Sequence, residues 1–368
     1  MGMSAIVSRL VKTEVAREIS QRFKDKNFER KIDGGGQGCP SHTSHLWAAG
    51  SATVGAAVWA ALALLARVGV LRIGAIELMF LFAPLVIVPL GMELSRKMGV
   101  LDPAGEAARR LQPVGATAAV AAMVMAPGLR AGMTALGWMI VCGLMGWSGV
   151  VAIGRSVLER RTGESPVSTR TVPTQVLSTQ VVLAIARIDL VVGGGWLVVS
   201  RLGMRPMGIQ EPIGLLTAVH FHYAGFATAT IAAATLAFAH RHAMQQRELK
   251  SVALMVAGLP FFVAAGFVIS PAVKMLAAVL FSASVAILAV FLRKAGQRAE
   301  DGMARVLLQI APIAVFAGMI LAGTYAIADF LGSDALTIPQ MVRTHGILNA
   351  MGFCLPGLLG WLVESSGQ

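Results

Sequence analysis

Ten stretches of this chain are apolar over about the 20 residues a helix needs to cross a bilayer, and that repetition restricts the fold more than any motif does. They cover residues 46–70, 73–95, 111–127, 131–153, 176–200, 212–239, 252–271, 272–293, 305–327 and 341–363. The third is the shortest and is bounded by glycine and proline. Hydrocarbon offers no hydrogen bonds to exposed backbone, so each stretch has to satisfy its own N–H and C=O groups as a helix. The expected fold is all-α, a polytopic transmembrane bundle of about ten spanning helices. The composition agrees, with 56% hydrophobic residues, 14% charged residues and a mean hydropathy of +0.70.

The basic residues set the expected topology. Cytoplasmic loops collect lysine and arginine, and an N-terminus inside puts most of the 31 basic residues on one side. Arg67, Arg72, Arg130, Arg201, Arg205, Lys274 and Arg343 then lie outside, and Arg187 falls within a span. Ten helices with both termini cytoplasmic follow. The net charge of +12 needs no nucleic acid partner, because most of it is the positive-inside signal together with attraction to anionic lipid at the inner face.

Residues 1–45 form a separate region, and 46–368 the membrane domain. Val7, Val11, Val15, Ile19 and Phe23 recur at steps of four with basic residues between them, the pattern of an amphipathic helix on the membrane surface. A glycine-rich joint, "DGGGQG", precedes "CPSHTSH". Cys39, His42 and His45 there lack a nearby further ligand for a metal. The three cysteines, two of them inside spans, form no disulfide framework.

Polar residues inside the spans mark the candidate site. At about 1.5 Å rise per residue, His220 lies roughly 12 Å from the outer end of the sixth helix. Asn349 has a similar depth on the tenth, with His345 one turn nearer the outside, and Asp189 lies about 16 Å deep on the fifth. Glu77, Asp329 and Glu211 sit nearer the same surface. Ionisable groups at such depth face a bundle interior or a cavity. Residues two apart differ by about 200° around a helix, so His220 and His222 cannot share a face. His220 aligns with Thr217 and Tyr223 and is expected inward; His222 is expected against a neighbouring helix, unless Gly225 loosens the turn. His345 and Asn349 share a face at i, i+4. Arg187 either binds an anionic group or neutralises a neighbouring carboxylate. Trp138 and Trp147 read as packing residues.

The stretches "LTAVHFHYAGF" and "THGILNAMGFCLPGLLGW", together with "APLVIVPLGMEL" at 83–94, resemble the YndJ-like family of bacterial integral membrane proteins. The resemblance covers most of the spanning region and leaves out the basic N-terminal tail. It implies a polytopic protein of the bacterial inner membrane, of a family loosely labelled transporter-like, and singles out His220, His222, His345 and Asn349 without giving them a role.

Two functions compete on these residues. In the first, an integral membrane enzyme acts on a lipophilic small molecule by general acid–base chemistry such as isomerisation, epoxide opening or cyclisation. His220, His222, His345 and Asp189 are then the catalytic candidates. Asn349, Tyr223, Thr217, Glu211, Arg187, Glu77 and Asp329 are the candidates for binding substrate. In the second, the same residues form the relay of a proton-coupled transporter, although no motif in the first five helices repeats that of the last five. Metal or haem binding is a third reading. Because H-x-H does not chelate on an intact helix, and no HExxH, CxxCH or glycine-rich nucleotide loop is present, no metal or cofactor is expected.

Overall fold

The computed structural model describes residues 42–162 and 174–366, with side chains from 50 to 158 and from 178 to 366. The amphipathic N-terminal segment and Cys39 lie outside the described residues. His42 and His45 fall in the first turn of a helix whose side chains there are likewise not described. The chain separates into two units, Met1–Leu46 and Trp47–Gln368, and the second holds the apolar helices of spanning length.

Among the described residues the chain is helical, without strands. Ten long helices follow one another: α1 (His42–Arg67), α2 (Ala75–Lys97), α3 (Pro103–Val124), α4 (Leu129–Thr162) and α5 (Thr174–Leu202), then α6 (Ile213–Arg241), α7 (Gln246–Ile269), α8 (Pro271–Gln297), α9 (Gly302–Phe330) and α10 (Ile338–Glu364). Nine of them, all but α3, are long and apolar enough to cross a membrane. The protein is therefore an all-α polytopic bundle.

Helix α3 also starts earlier than its apolar stretch, at residue 103 and not 111. Asp102 caps it, its Oδ1 accepting from the Gly105 N–H at 2.9 Å, and Pro103 occupies the first helical position, where a missing N–H costs nothing. The first turns carry Glu106, whose carboxylate pairs with Arg109 at 2.5 Å. Charge keeps those turns out of an apolar window while leaving them helical.

Consecutive helices pack as hairpins, most extensively α3 with α4, α4 with α5, α7 with α8 and α8 with α9. Helix α6 forms the centre and touches α5, α7, α8, α2 and α10. Its second half, Thr228–Ala239, is mostly alanine and threonine, and almost all of it is buried. Small side chains let neighbouring backbones approach, which is how helices adhere in a solvent as apolar as themselves. The threonines cost little there, since Thr230 and Thr235 donate to carbonyls four residues back.

Three helices widen into π turns where they meet: α2 at Ala83–Ile87, α6 at Phe221–Ala227, and α10 at Val342–Gly346 and Leu348–Cys354. Such turns leave carbonyls without their usual partner, and a buried carbonyl needs a replacement. In α2 the Val88 N–H bonds back to Ala83, which releases the Pro84 carbonyl; Gln112 of α3 donates to it at 2.7 Å, and Ser51 of α1 in turn donates to Gln112 at 2.9 Å. Pro89 has no N–H for the Leu85 carbonyl, and Gly55 of α1 packs directly against that oxygen. In α6 the Tyr223 carbonyl keeps a backbone partner, the Thr228 N–H, and also accepts from the Thr228 hydroxyl at 2.8 Å.

Candidate functional site

A cavity of about 500 Å³ lies among α6, α7, α8, α9 and α10, with Met79 of α2 contributing to its wall. Its lining runs along α6 from Ile213 to Thr228, roughly 22 Å at the helical rise. Most of the wall is apolar, including Phe221, Val263, Phe281, Val285 and Met319. The polar side chains fall in two groups. His220, Thr217, Tyr223, His345, Asn349 and Thr228 come from α6 and α10, while Lys274, Ser282, Tyr325 and Asp329 come from α8 and α9.

The widened turns decide which way the histidines point. His220 ends the regular part of α6, and its Nδ1 lies 2.7 Å from the Leu216 carbonyl. A carbonyl only accepts, so Nδ1 carries a proton and, in the neutral ring, Nε2 is the basic nitrogen. The ring is exposed, yet it is surrounded by protein, and the surface it presents is that of the cavity. His345 sits in the first π turn of α10 with Nδ1 2.9 Å from the Gly318 carbonyl of α9, which fixes the same tautomer. The two imidazoles therefore line one cavity. Asn349 donates to the His345 carbonyl at 2.7 Å, and its amide nitrogen also lies 3.1 Å from Nδ1 and 3.4 Å from Nε2 of that ring. Gly318 makes room for this amide, because a Cβ there would stand 2.9 Å from the Asn349 nitrogen.

Other expected residues lie elsewhere. His222 is fully buried on the opposite side of α6. Its Nδ1 is 2.8 Å from the Ala218 carbonyl and its Nε2 accepts from the Trp138 indole at 2.9 Å, so both ring nitrogens are used. The ring stacks on Trp138 of α4, meets the edge of Phe80 of α2 and lies against Gly193 of α5. Asp189 is buried with neither oxygen hydrogen-bonded, its carboxyl pressed against Gly225 in the π turn, and it is absent from the cavity wall. Arg187 donates to the Ser148 hydroxyl at 3.1 Å and to the Val100 carbonyl at 2.7 Å, away from the cavity. Glu211 accepts from the Leu215 N–H at the start of α6, and Glu77 stands with it near Arg201.

Asp329 does reach the cavity, and it arrives paired. Lys274, in the first turn of α8, holds it at 2.7 Å and lies over the Phe267 ring at 4.8 Å. The sequence alone places Lys274 only among the outer basic residues and does not single out Tyr325. The signal for both is spacing, since Tyr325 precedes Asp329 by four residues and so shares its face. Tyr223 lines the cavity, but its hydroxyl is committed to the Met79 carbonyl at 2.9 Å. Among the described residues, no group of three or more His, Cys, Asp or Glu side chains is placed to hold a metal ion.

Fold and cavity together define a polytopic helical membrane protein with a histidine-lined internal chamber. The sequence of residues 78–353 matches the YndJ-like protein family, and the chain belongs to that family. A curated relative, the uncharacterized membrane protein YndJ of Bacillus subtilis (strain 168), is 28% identical over 179 residues, 49% of this chain and 32% of that protein. The match thus spans about a third of the relative's length. No solved structure matches the chain.

Proposed function

We propose that this protein is a membrane-embedded enzyme of the bacterial inner membrane, with both termini cytoplasmic, that takes a lipophilic small molecule into the α6–α10 cavity and moves a proton on it. One observation carries the reading: His220 and His345 each set Nδ1 against a backbone carbonyl, and both rings line the same mostly apolar chamber, with the Asn349 amide beside His345. A fixed neutral imidazole is a general base near neutral pH.

The placement of Asp189 narrows the chemistry within the acid–base class. Its carboxyl is not in the cavity, and Asp329 is held by Lys274, so among the described residues no free carboxylic acid lines the cavity with the imidazoles. A shuttle needs none. Nε2 of one histidine takes a proton from the substrate and returns it at a second position, while the Asn349 amide and the other imidazole hold the polar group. Isomerisation fits this better than epoxide opening or cyclisation, which call for an acid at the outset.

A second reading, proton-coupled transport, is favoured by one feature. Both helices that carry the histidines are interrupted beside the cavity, as spanning helices of transporters are at their binding sites. The two readings separate in one preparation. An enzyme converts its co-purified ligand class in detergent, without a gradient, and His220→Ala and His345→Ala each lower turnover by about 10²–10⁴-fold with the fold intact. A transporter shows no conversion and moves protons with its substrate in sealed vesicles. Full turnover in both histidine variants refutes the enzymatic reading.

A further inference from the structure

A second hollow, about 250 Å³, lies between α1, α2 and α10 and is lined by Trp59, Leu78, Phe82, Ile347, Ala350 and Met351, with Arg343 beside them. We propose that it is a binding site for one glycerophospholipid of the surrounding bilayer, which lays an acyl chain in the groove and its phosphate on Arg343.

The groove is preformed. The Trp59 indole donates to the Leu78 carbonyl at 2.7 Å and stands edge-on to Phe82 at 5.1 Å, so its wall does not collapse when empty. These side chains offer nothing to a peptide backbone, which in hydrocarbon needs partners for its polar groups; an acyl chain has no such need. Ile347 and Met351 are exposed at the rim, where a neighbouring lipid makes contact.

Arg343 supplies the charge for the head group. It is exposed and, among the described residues, makes no hydrogen bond or ion pair with the protein. It lies five residues into α10, roughly 7 Å along the axis, within reach of the head-group level for a side chain that extends its charge toward the interface. A guanidinium matches two phosphate oxygens at once. The site stands independently of any chemistry at His220 and His345. It shares Tyr223, Met79 and Val342 with the larger cavity, so a bound lipid would brace the wall between them.

The experiment is native mass spectrometry of the full chain released from nanodiscs of mixed zwitterionic and anionic glycerophospholipids, compared with Arg343→Ala and Ala75→Phe. Ala75 is an exposed lining residue at the start of α2, and a phenyl ring there obstructs the groove with Arg343 left in place. The wild-type protein is expected to retain one phospholipid, and each variant to lower that occupancy about tenfold, the equivalent of one charge-assisted hydrogen bond for the arginine. An unchanged melting temperature shows that the variants are folded. A wild-type protein that retains no phospholipid, or retention equal in all three proteins, overturns the assignment, as does a fatty acid or a polypeptide found there instead.

Discussion

His222 and His220 are separated by one residue and by function, and a double-mutant cycle on His222 and Trp138 tests that separation. The Trp138 indole on α4 donates to His222 on α6 at 2.9 Å, with both side chains fully buried. In His222→Leu the volume is nearly kept, but the indole N–H is left without an acceptor, at a cost of about 1–3 kcal/mol. Trp138→Phe strands the imidazole nitrogen in the same way. With both changed neither orphan remains, and the double variant should be more stable than the sum of the singles by about 0.6–1.7 kcal/mol, the average and the maximum measured for hydrogen bonds between membrane helices. Reversible unfolding in mixed detergent reads the stabilities. Ligand retention in the cavity should survive in His222→Leu and fail in His220→Ala. Costs that add to within about 0.3–0.5 kcal/mol mean the hydrogen bond contributes no coupling; a His222→Leu protein that is stable but binds no ligand means the ring acts in the cavity after all.

Further predictions concern the unusual turns and one cap. Gln112→Leu removes the donor to the Pro84 carbonyl and should cost about 1–3 kcal/mol, with α2 becoming more susceptible to hydrogen exchange around residues 83–88. Gly225→Ala places a Cβ 2.7 Å from the Asp189 side chain; overpacking of about 1–3 kcal/mol should lower the melting temperature, and relief by Asp189→Gly in the double variant checks the cause. Burial opposes the charge on Asp102, but hydrogen bonds from Ser148 and the Gly105 N–H, with the Arg187 and Arg155 guanidiniums nearby, hold its carboxyl below the usual range. Its stabilisation is therefore complete at neutral pH and is lost as the pH falls through its folded-state value. Asp102→Ala should cost about 1 kcal/mol at pH 7 and progressively less as the pH falls through the lowered folded-state value of Asp102, measured as the difference in melting temperature between the two proteins.

The sequence by itself determined the class, the number of long helices and nearly all their positions, because a bilayer leaves the backbone a single economical choice and each span has to reach a fixed length. It also determined that His220 and His222 diverge, since two residues so spaced cannot share a helical face, and that His345 and Asn349 do share one. It misjudged the start of α3, where Asp102 and the Glu106–Arg109 pair make a good helix from residues that no apolar window admits. What each face meets was decided only by the tertiary structure. Asp189 has about the right depth to join His220, yet it faces Gly225 across the packed side of α6, while Lys274, from a helix end, reaches Asp329 at the cavity. Periodicity gives the angle at which a side chain leaves its own helix; the neighbour found at that angle depends on how the helices are arranged around α6, which is set by small residues and widened turns distributed over the whole chain.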